Sequence, residues 1–381
     1  MHLFKHVFIC ISLISFLVSC SKSQTNSIEI DPKADFDTFV EAQFVEQEMP
    51  GLSVLIFNEE AIQYEKNLGF SDIENNIALS ENAIFLMASV SKMITGSAIL
   101  QLYEQGKFDL DDPINDYLSF AVNVPNHSKA ITFRMLLTHT SAIEDGPNAE
   151  LFYSYGQDSP IGLKEYMQKY LVSNGEYYDA QDNFYDYEPG SQFNYSNIGS
   201  ALMGVLVTEI SGKDFKVYCR DHIFQPLNMN DTYWSLDAAL QSGKTLVTPY
   251  EYENGNYEAI QHYTFADYPN GGLRSSARDL MKFLSALAQN GIYNDTQILN
   301  SGTVQEMLKL QIPSIDSTMG LHIFKMNTSE NIWGHDGSEQ GVTTDVGFST
   351  SSKIGVLILT NLKDVDTEEL FSQAYLLGSK L

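Results

Sequence analysis

The order of elements along the chain predicts an α/β fold of the α+β kind. An antiparallel sheet is built from both ends of the chain, flanked by helices, with a mainly helical lobe inserted. Three observations carry this. Strand-like runs cluster around residues 52–68 and return at 332–360. Most helix-period segments fall between them. Ile354 to Thr360 is almost wholly apolar, as a strand covered on both faces must be.

The first residues are expected to be a leader rather than fold. Lys5 and His6 precede an apolar run from Val7 to Val18, too short for a comfortable membrane span. Leu17-Val18-Ser19-Cys20 resembles a bacterial lipoprotein signal, in which cleavage before the cysteine leaves it N-terminal and lipid-modified. The expected organisation is a signal peptide at 1–19, a polar tether at 20–34 and one domain at 35–381. Its sheet lobe takes residues 35–110 and 290–381, and its helical lobe residues 111–289. Cys20 would anchor the protein to a membrane in the cell envelope, in the periplasm or on the outer membrane.

Asp35 to Gln47 carries Phe36, Phe39, Val40 and Phe44 at helical spacing, with Pro50-Gly51 as its stop. Leu52–Phe57 and Ile62–Leu68 are two strands around an Asn58-Glu59-Glu60 turn. Phe85-Leu86-Met87-Ala88 then feeds a helix starting at or near Ser89, apolar at Met93, Ile94, Ala98, Ile99 and Leu102, with Gly106 as its stop. Ser89 and Lys92 are three apart, so their side chains share a face of the first turn. The positive end of the helix favours an alkoxide there. A lysine stripped of water beside it becomes a base.

Ile131 to Ser141 predicts a helix running into a tight turn at Thr138-His139-Thr140-Ser141. His139 has no partner carboxylate evident in the sequence and is expected to be a hydrogen-bonded structural histidine. Asp145-Gly146-Pro147 is a turn signal, and Leu163 to Val172 a helix. Glu176 to Glu188 is crowded with tyrosine and acid, and is either a cleft wall or a surface loop. Helices follow at Ile198–Ile210, capped by Gly212, and at Phe215–Phe224. Gly271-Gly272-Leu273-Arg274 marks close backbone approach. Ser276-x-x-Asp279 resembles a capping box opening a helix through Ala288. Ile332-Trp333-Gly334-His335 leads into Asp336-Gly337-Ser338, two strands follow at Thr343–Thr350 and Ile354–Thr360, and Asp366-x-x-Glu369 opens a last helix.

Bulk properties narrow the partners. A net charge of −27 over 381 residues argues against nucleic acid and other polyanions. Of the three cysteines, Cys10 lies in the signal peptide, Cys20 is the expected anchor and Cys219 alone lies in the domain, so no disulfide can form within the domain. Cys219 is expected to be a packed thiol. No repeat, metal-ligand cluster or phosphate-binding glycine loop is present in the sequence.

Three short motifs stand in order: Ser89-Val90-Ser91-Lys92, Tyr195-Ser196-Asn197 and His335-Asp336-Gly337, whose first residues lie 106 and 140 residues apart. Each is weak alone. Ser-x-x-Lys recurs at Ser19, and Tyr-x-Asn at Tyr252 and Tyr268. Together with Leu136-Leu137-Thr138-His139-Thr140-Ser141, Pro189-Gly190 and Gly271-Gly272-Leu273, they make the chain resemble the serine β-lactamases of the class C type and the related penicillin-binding DD-peptidases and esterases. The resemblance covers residues 35 to 380 and implies a β-lactamase/transpeptidase-like fold. It implies Ser89 as the nucleophile of an acyl-enzyme, with Lys92 and Tyr195 sharing the proton work, either being the base. It implies an oxyanion hole from the amides of Ser89 and Ser338, and Asn197 orienting the substrate or the lysine. His335, with Gly337 beside it on an edge strand, would bind the substrate's leaving group or polar end. No cofactor is implied, and the partner is a small ester, amide or peptide substrate.

The third motif stands where the family resembled has Lys-Thr-Gly or, in many esterase and peptidase members, His-x-Gly; here it lacks the lysine. His335 is only partly charged near neutral pH, and Asp336 adds a negative charge. Both favour an esterase, or a peptidase that does not demand a substrate carboxylate. A β-lactamase or DD-carboxypeptidase on cell-wall peptide is the alternative, and a non-catalytic acylation sensor or binding lipoprotein is a third.

Overall fold

The computed structural model describes residues 31–147, 149, 153–327 and 330–381. The expected signal peptide, with Cys10, and the expected anchor Cys20 lie outside them. The centre is a seven-stranded sheet. In chain order its strands are β1 Gly51–Asn58, β2 Ala61–Asp72, β3 Ile77–Ala78, β4 Phe324–Asn327, β5 Ile332–Glu339, β6 Val342–Ser349 and β7 Ile354–Thr360. Their spatial order is β4-β5-β6-β7-β1-β2-β3, every neighbour antiparallel. The two chain ends therefore meet at β7 and β1, where Leu52 pairs with Thr360 and Asn58 with Ile354.

Both faces of these middle strands are apolar because both are covered. In β1, Leu52, Val54 and Ile56 point into one core and Leu55 and Phe57 into another; in β7, Ile354, Val356 and Ile358 alternate with Leu357 and Leu359 in the same way. The smaller core lies under α1 (Pro32–Glu46) and the C-terminal helix Glu368–Gly378. The larger one continues from the opposite face into α2 (Ser91–Glu104), α3 (Phe133–Leu137), α4 (Leu163–Leu171), α5 (Asn197–Ser211), α6 (Phe215–Cys219) and α7 (Ala277–Ala288). Cys219 is a packed thiol in this core, and burial pushes its pKa up.

Several elements differ from the sequence reading for local reasons. Helix α1 begins at Pro32 and so takes in residues assigned to the tether; proline suits a first turn, whose N–H has no intrahelical partner anyway. Ser89 does not open the α-helix. It sits in a 3-10 turn, Ala88–Val90, and α2 starts at Ser91. Helix α3 stops at Leu137 because His139 turns left-handed, with φ 54°. The helix beginning at Phe215 changes at Arg220 into a π turn through Phe224. Gly212 closes α5 at φ 70°, where a side chain would be strained. The capping box at α7 is half made. Ser276 accepts from the Asp279 amide at 3.2 Å, but the Asp279 carboxylate accepts instead from the Asp231 amide at 2.6 Å.

Glu176 to Glu188 is a loop pinned to the body. Asn183 is buried and donates to the carbonyls of Tyr170 and Tyr177, Phe184 is buried, and Tyr185 and Tyr187 are half-buried and stacked. The Tyr187 hydroxyl accepts from Asn194, one residue before Tyr195.

Leu357→Ala, in the middle strand, is expected to cost about 2–5 kcal/mol in urea unfolding. Ile77→Ala, on the exposed edge, is expected to stay within about 0.5 kcal/mol.

Candidate active site

The three sequence motifs converge. Lys92 is fully buried. Its Nζ lies 3.1 Å from Ser89 Oγ, 2.7 Å from Asn197 Oδ1 and 2.8 Å from the Asn270 carbonyl. An ammonium has three protons to donate, and three acceptors surround it. In the neutral amine, Asn197 and Asn270 take the two N–H groups and the lone pair is left facing Ser89. Loss of water pulls the Lys92 pKa down to about 7, while Asp145, Asp267, Glu339 and Asp336 pull it back up. None of these carboxylates forms an ion pair with Lys92 among the described residues.

Each partner of Lys92 is itself held. Asn197 is the first residue of α5, and Ser196 caps that helix by accepting from Gly199 at 2.9 Å. Asp145 adds a second cap: its carboxylate accepts from the amides of Asn197 at 2.7 Å and Ile198 at 3.0 Å, and from Ser196 Oγ at 3.1 Å. Burial nonetheless raises the Asp145 pKa. Asn270 lies in a short 3-10 turn, Tyr268–Asn270, and its side chain donates to the Asp267 carbonyl at 2.8 Å and to its carboxylate at 2.5 Å. Burial pushes Asp267 up to about 7. The third Tyr-x-Asn of the sequence, Tyr268-Pro269-Asn270, thus reaches the site through its main chain.

Ser89 is presented by a strained turn. Ala88 has φ 47°, a left-handed conformation that costs a non-glycine residue roughly 1–3 kcal/mol. Strand β5 crosses directly behind it. A Cβ on Gly337 would stand 2.9 Å from the Met87 carbonyl and 3.0 Å from the Ala88 side chain, so only glycine lets the strand approach. The Gly271-Gly272-Leu273 segment closes in from the other side, where the Leu273 amide donates to Ser91 Oγ at 3.1 Å and the Met87 amide to the Leu273 carbonyl at 2.8 Å.

Tyr195 leans on both groups: a hydrogen bond ties it to Ser89, and Lys92 Nζ sits 4.8 Å from its ring centre. Burial raises the Tyr195 pKa far above neutrality, more than the bond with Ser89 lowers it, so it is a phenol rather than a phenolate. His139 positions it. The His139 ring stacks on Tyr195 with centres 4.3 Å apart, its Nδ1 accepts from the Ser196 amide at 3.1 Å, and its carbonyl accepts from the Asn194 amide at 2.9 Å. Buried beside His322 and Lys92, it is neutral, a structural histidine as expected.

His335 differs from the expectation in two respects. Strand β5 is an edge strand only in part, because β4 pairs with Ile332, Trp333 and Gly334 and leaves the edge open from His335 onward. The imidazole is also not partly charged: burial, with Lys92 nearby, lowers it to about 4. Its Nδ1 donates to the Asp336 carbonyl, so Nε2 carries the lone pair, buried and without a partner among the described residues. The Asp336 and Ser338 side chains point to the other face of β5 and are exposed. Asp145, Asp267 and Asn270 escaped the sequence reading because a turn signal and a lone acid carry no mark of what they face in space.

The family described as Beta-lactamase matches residues 36–377. Protein flp of Staphylococcus aureus strain MW2 is 21% identical over 341 residues, which are 87% of this chain and 64% of that protein; the chain thus spans less than two thirds of its length. The octameric penicillin-binding protein homologue from Pyrococcus abyssi superposes with a TM-score of 0.72 at 23% identity, over 90% of this chain and 76% of that one. The D-amino acid amidase from Ochrobactrum anthropi SV3 gives 0.69 at 22% identity, over 91% and 99%.

Replacing Asp145 with alanine strands the donors of Asn197, Ile198 and Ser196. The expected loss is about 1–3 kcal/mol in urea unfolding, and Asp145→Asn, which keeps one acceptor, is expected to lose less. A loss below about 0.5 kcal/mol for the alanine variant would mean that water replaces the carboxylate.

Proposed function

The chain belongs to the Beta-lactamase family, and we propose that it works as a serine hydrolase, through a Ser89 acyl-enzyme, on a small ester or amide. The observation that carries this reading is the buried Lys92 amine, clamped by Asn197 and Asn270 with its remaining position on Ser89 Oγ. Lys92 takes the Ser89 proton as Oγ attacks the substrate carbonyl. Tyr195, a phenol, donates toward the leaving group, and the proton it gives up is restored from Lys92. Water then attacks the acyl-enzyme by the reverse relay. The amides of Ser89 and Ser338 bind the developing oxyanion, each worth about 2.7–4 kcal/mol by comparison with measured donors. Gly337 lets Ser338 come near enough, and Asn197 orients the lysine.

The neutral His335 favours substrates without an essential carboxylate. The amidase likeness supports the same choice. The likeness to a penicillin-binding protein homologue favours a second reading, a penicillin-binding peptidase or β-lactamase. Rapid nitrocefin turnover abolished by Ser89→Ala would select it.

The first test is p-nitrophenyl butyrate hydrolysis. Ser89→Ala and Lys92→Met are expected to lose at least about 100-fold in kcat/KM. Because Lys92 must be unprotonated to act, kcat/KM is expected to rise with pH and level off above about 7. Activity retained in Ser89→Ala would refute the nucleophile. For the leader, we propose export and lipid attachment at Cys20; incorporation of labelled palmitate, lost in Cys20→Ala, is the expected result.

A further inference from the structure

Resting on the hydrolase reading, we propose that the site selects substrates carrying a protonated amine near the scissile carbonyl, with Glu339 as the residue that binds it. The charges acting most strongly on Lys92 and Tyr195 are all carboxylates: Asp145, Asp336 and Glu339, with Asp267 also acting on Lys92. Asp267 is buried and occupied by Asn270, and Asp145 is spent on the end of α5. The Asp336 side chain lies on the opposite face of β5 from Gly337, the residue that touches Ala88. That leaves Glu339, half-buried on the same strand face as Gly337.

Its place follows from the strand period. His335, Gly337 and Glu339 share a face of β5, so Glu339 lies one repeat, roughly 6.6–6.8 Å, beyond the glycine that packs against the nucleophile turn. The carboxylate is already aimed. Its Oε2 accepts from the Tyr153 hydroxyl at 2.9 Å and from the Gln340 amide at 3.2 Å. Tyr263 braces the same corner by donating to the Gln340 carbonyl at 2.7 Å. Oε1 accepts no hydrogen bond among the described residues, and Glu339 forms no ion pair there; Lys363, which acts on it through space, is exposed.

An independent observation points the same way. His335, 2% exposed, offers an unpartnered lone pair at Nε2 on the same strand face. The face therefore presents acceptors, Nε2 and Oε1, where a carboxylate-binding site would present donors. A ligand rich in N–H donors satisfies them, and a substrate carboxylate is repelled.

The test compares the full chain on three esters of alanine, in each enantiomer, at pH 7 and low salt: the methyl ester with a free amine, its N-acetyl form and its N-succinyl form. The expected order of kcat/KM is free amine over acetyl by about tenfold or more, with succinyl lowest. In Glu339→Gln that ratio is expected to fall toward one, Glu339→Asp to restore part of it, and Asp336→Asn to leave it nearly unchanged. A wild-type ratio of one or below, no turnover of any aminoacyl ester, or a ratio lost in Asp336→Asn but kept in Glu339→Gln would overturn the inference. p-Nitrophenyl butyrate separates the two readings: cleavage of it with any of those results sinks the amine preference alone, whereas no cleavage of any ester sinks the hydrolase reading with it.

Discussion

The buried amine of Lys92 is the constraint on which the rest of the site depends. A lysine taken wholly out of water is unfavourable as an ammonium. It is kept in place by three acceptors and tempered by carboxylates that never touch it. A direct ion pair would hold the proton and leave no base. Distance is what keeps the amine near neutrality. The three acceptors come from sites far apart in the chain, so the helical elements must be locked together for the clamp to exist at all.

That locking uses ordinary devices at the ends of elements. Helix α5 starts where it does because Ser196 and Asp145 both satisfy its free amides, and this fixes Asn197. The turn at Tyr268–Asn270 is held by Asp267. His139, in a left-handed turn, pins the segment before α5 from below Tyr195. Each is a polar group held by hydrogen bonds to main-chain amides or neighbouring side chains, so the ends of these elements are fixed together. The sheet contributes strand β5, whose Gly337 packs against the Ser89 turn with His335 and Glu339 to either side of that glycine on the same strand face.

The charge of the site is the less expected property. A family whose third motif often carries a lysine is here represented by a neutral, acceptor-bearing histidine in a field of carboxylates. The chain's overall charge of −27 does not by itself produce this, because most of that charge is surface and screened. Burial does, by removing the water that would otherwise spread the field.

Much was legible in the sequence. The period-two strands, the apolar strand Ile354–Thr360 and the helix expected from Ile198 follow from side-chain spacing, which a single chain carries in full. The order of elements along the sequence determined the fold class, and the resemblance of the three motifs to a known family implied that Ser89, Lys92, Tyr195, Asn197 and His335 belong to one site. What only the tertiary structure decided is the state of those groups. Whether Lys92 is a base, whether His335 is charged, and which oxygen meets Lys92 depend on burial and on neighbours from distant segments: Asn270, Asp145, Asp267 and Glu339. Desolvation and through-space charge are set by three-dimensional proximity, and no spacing along the chain encodes them.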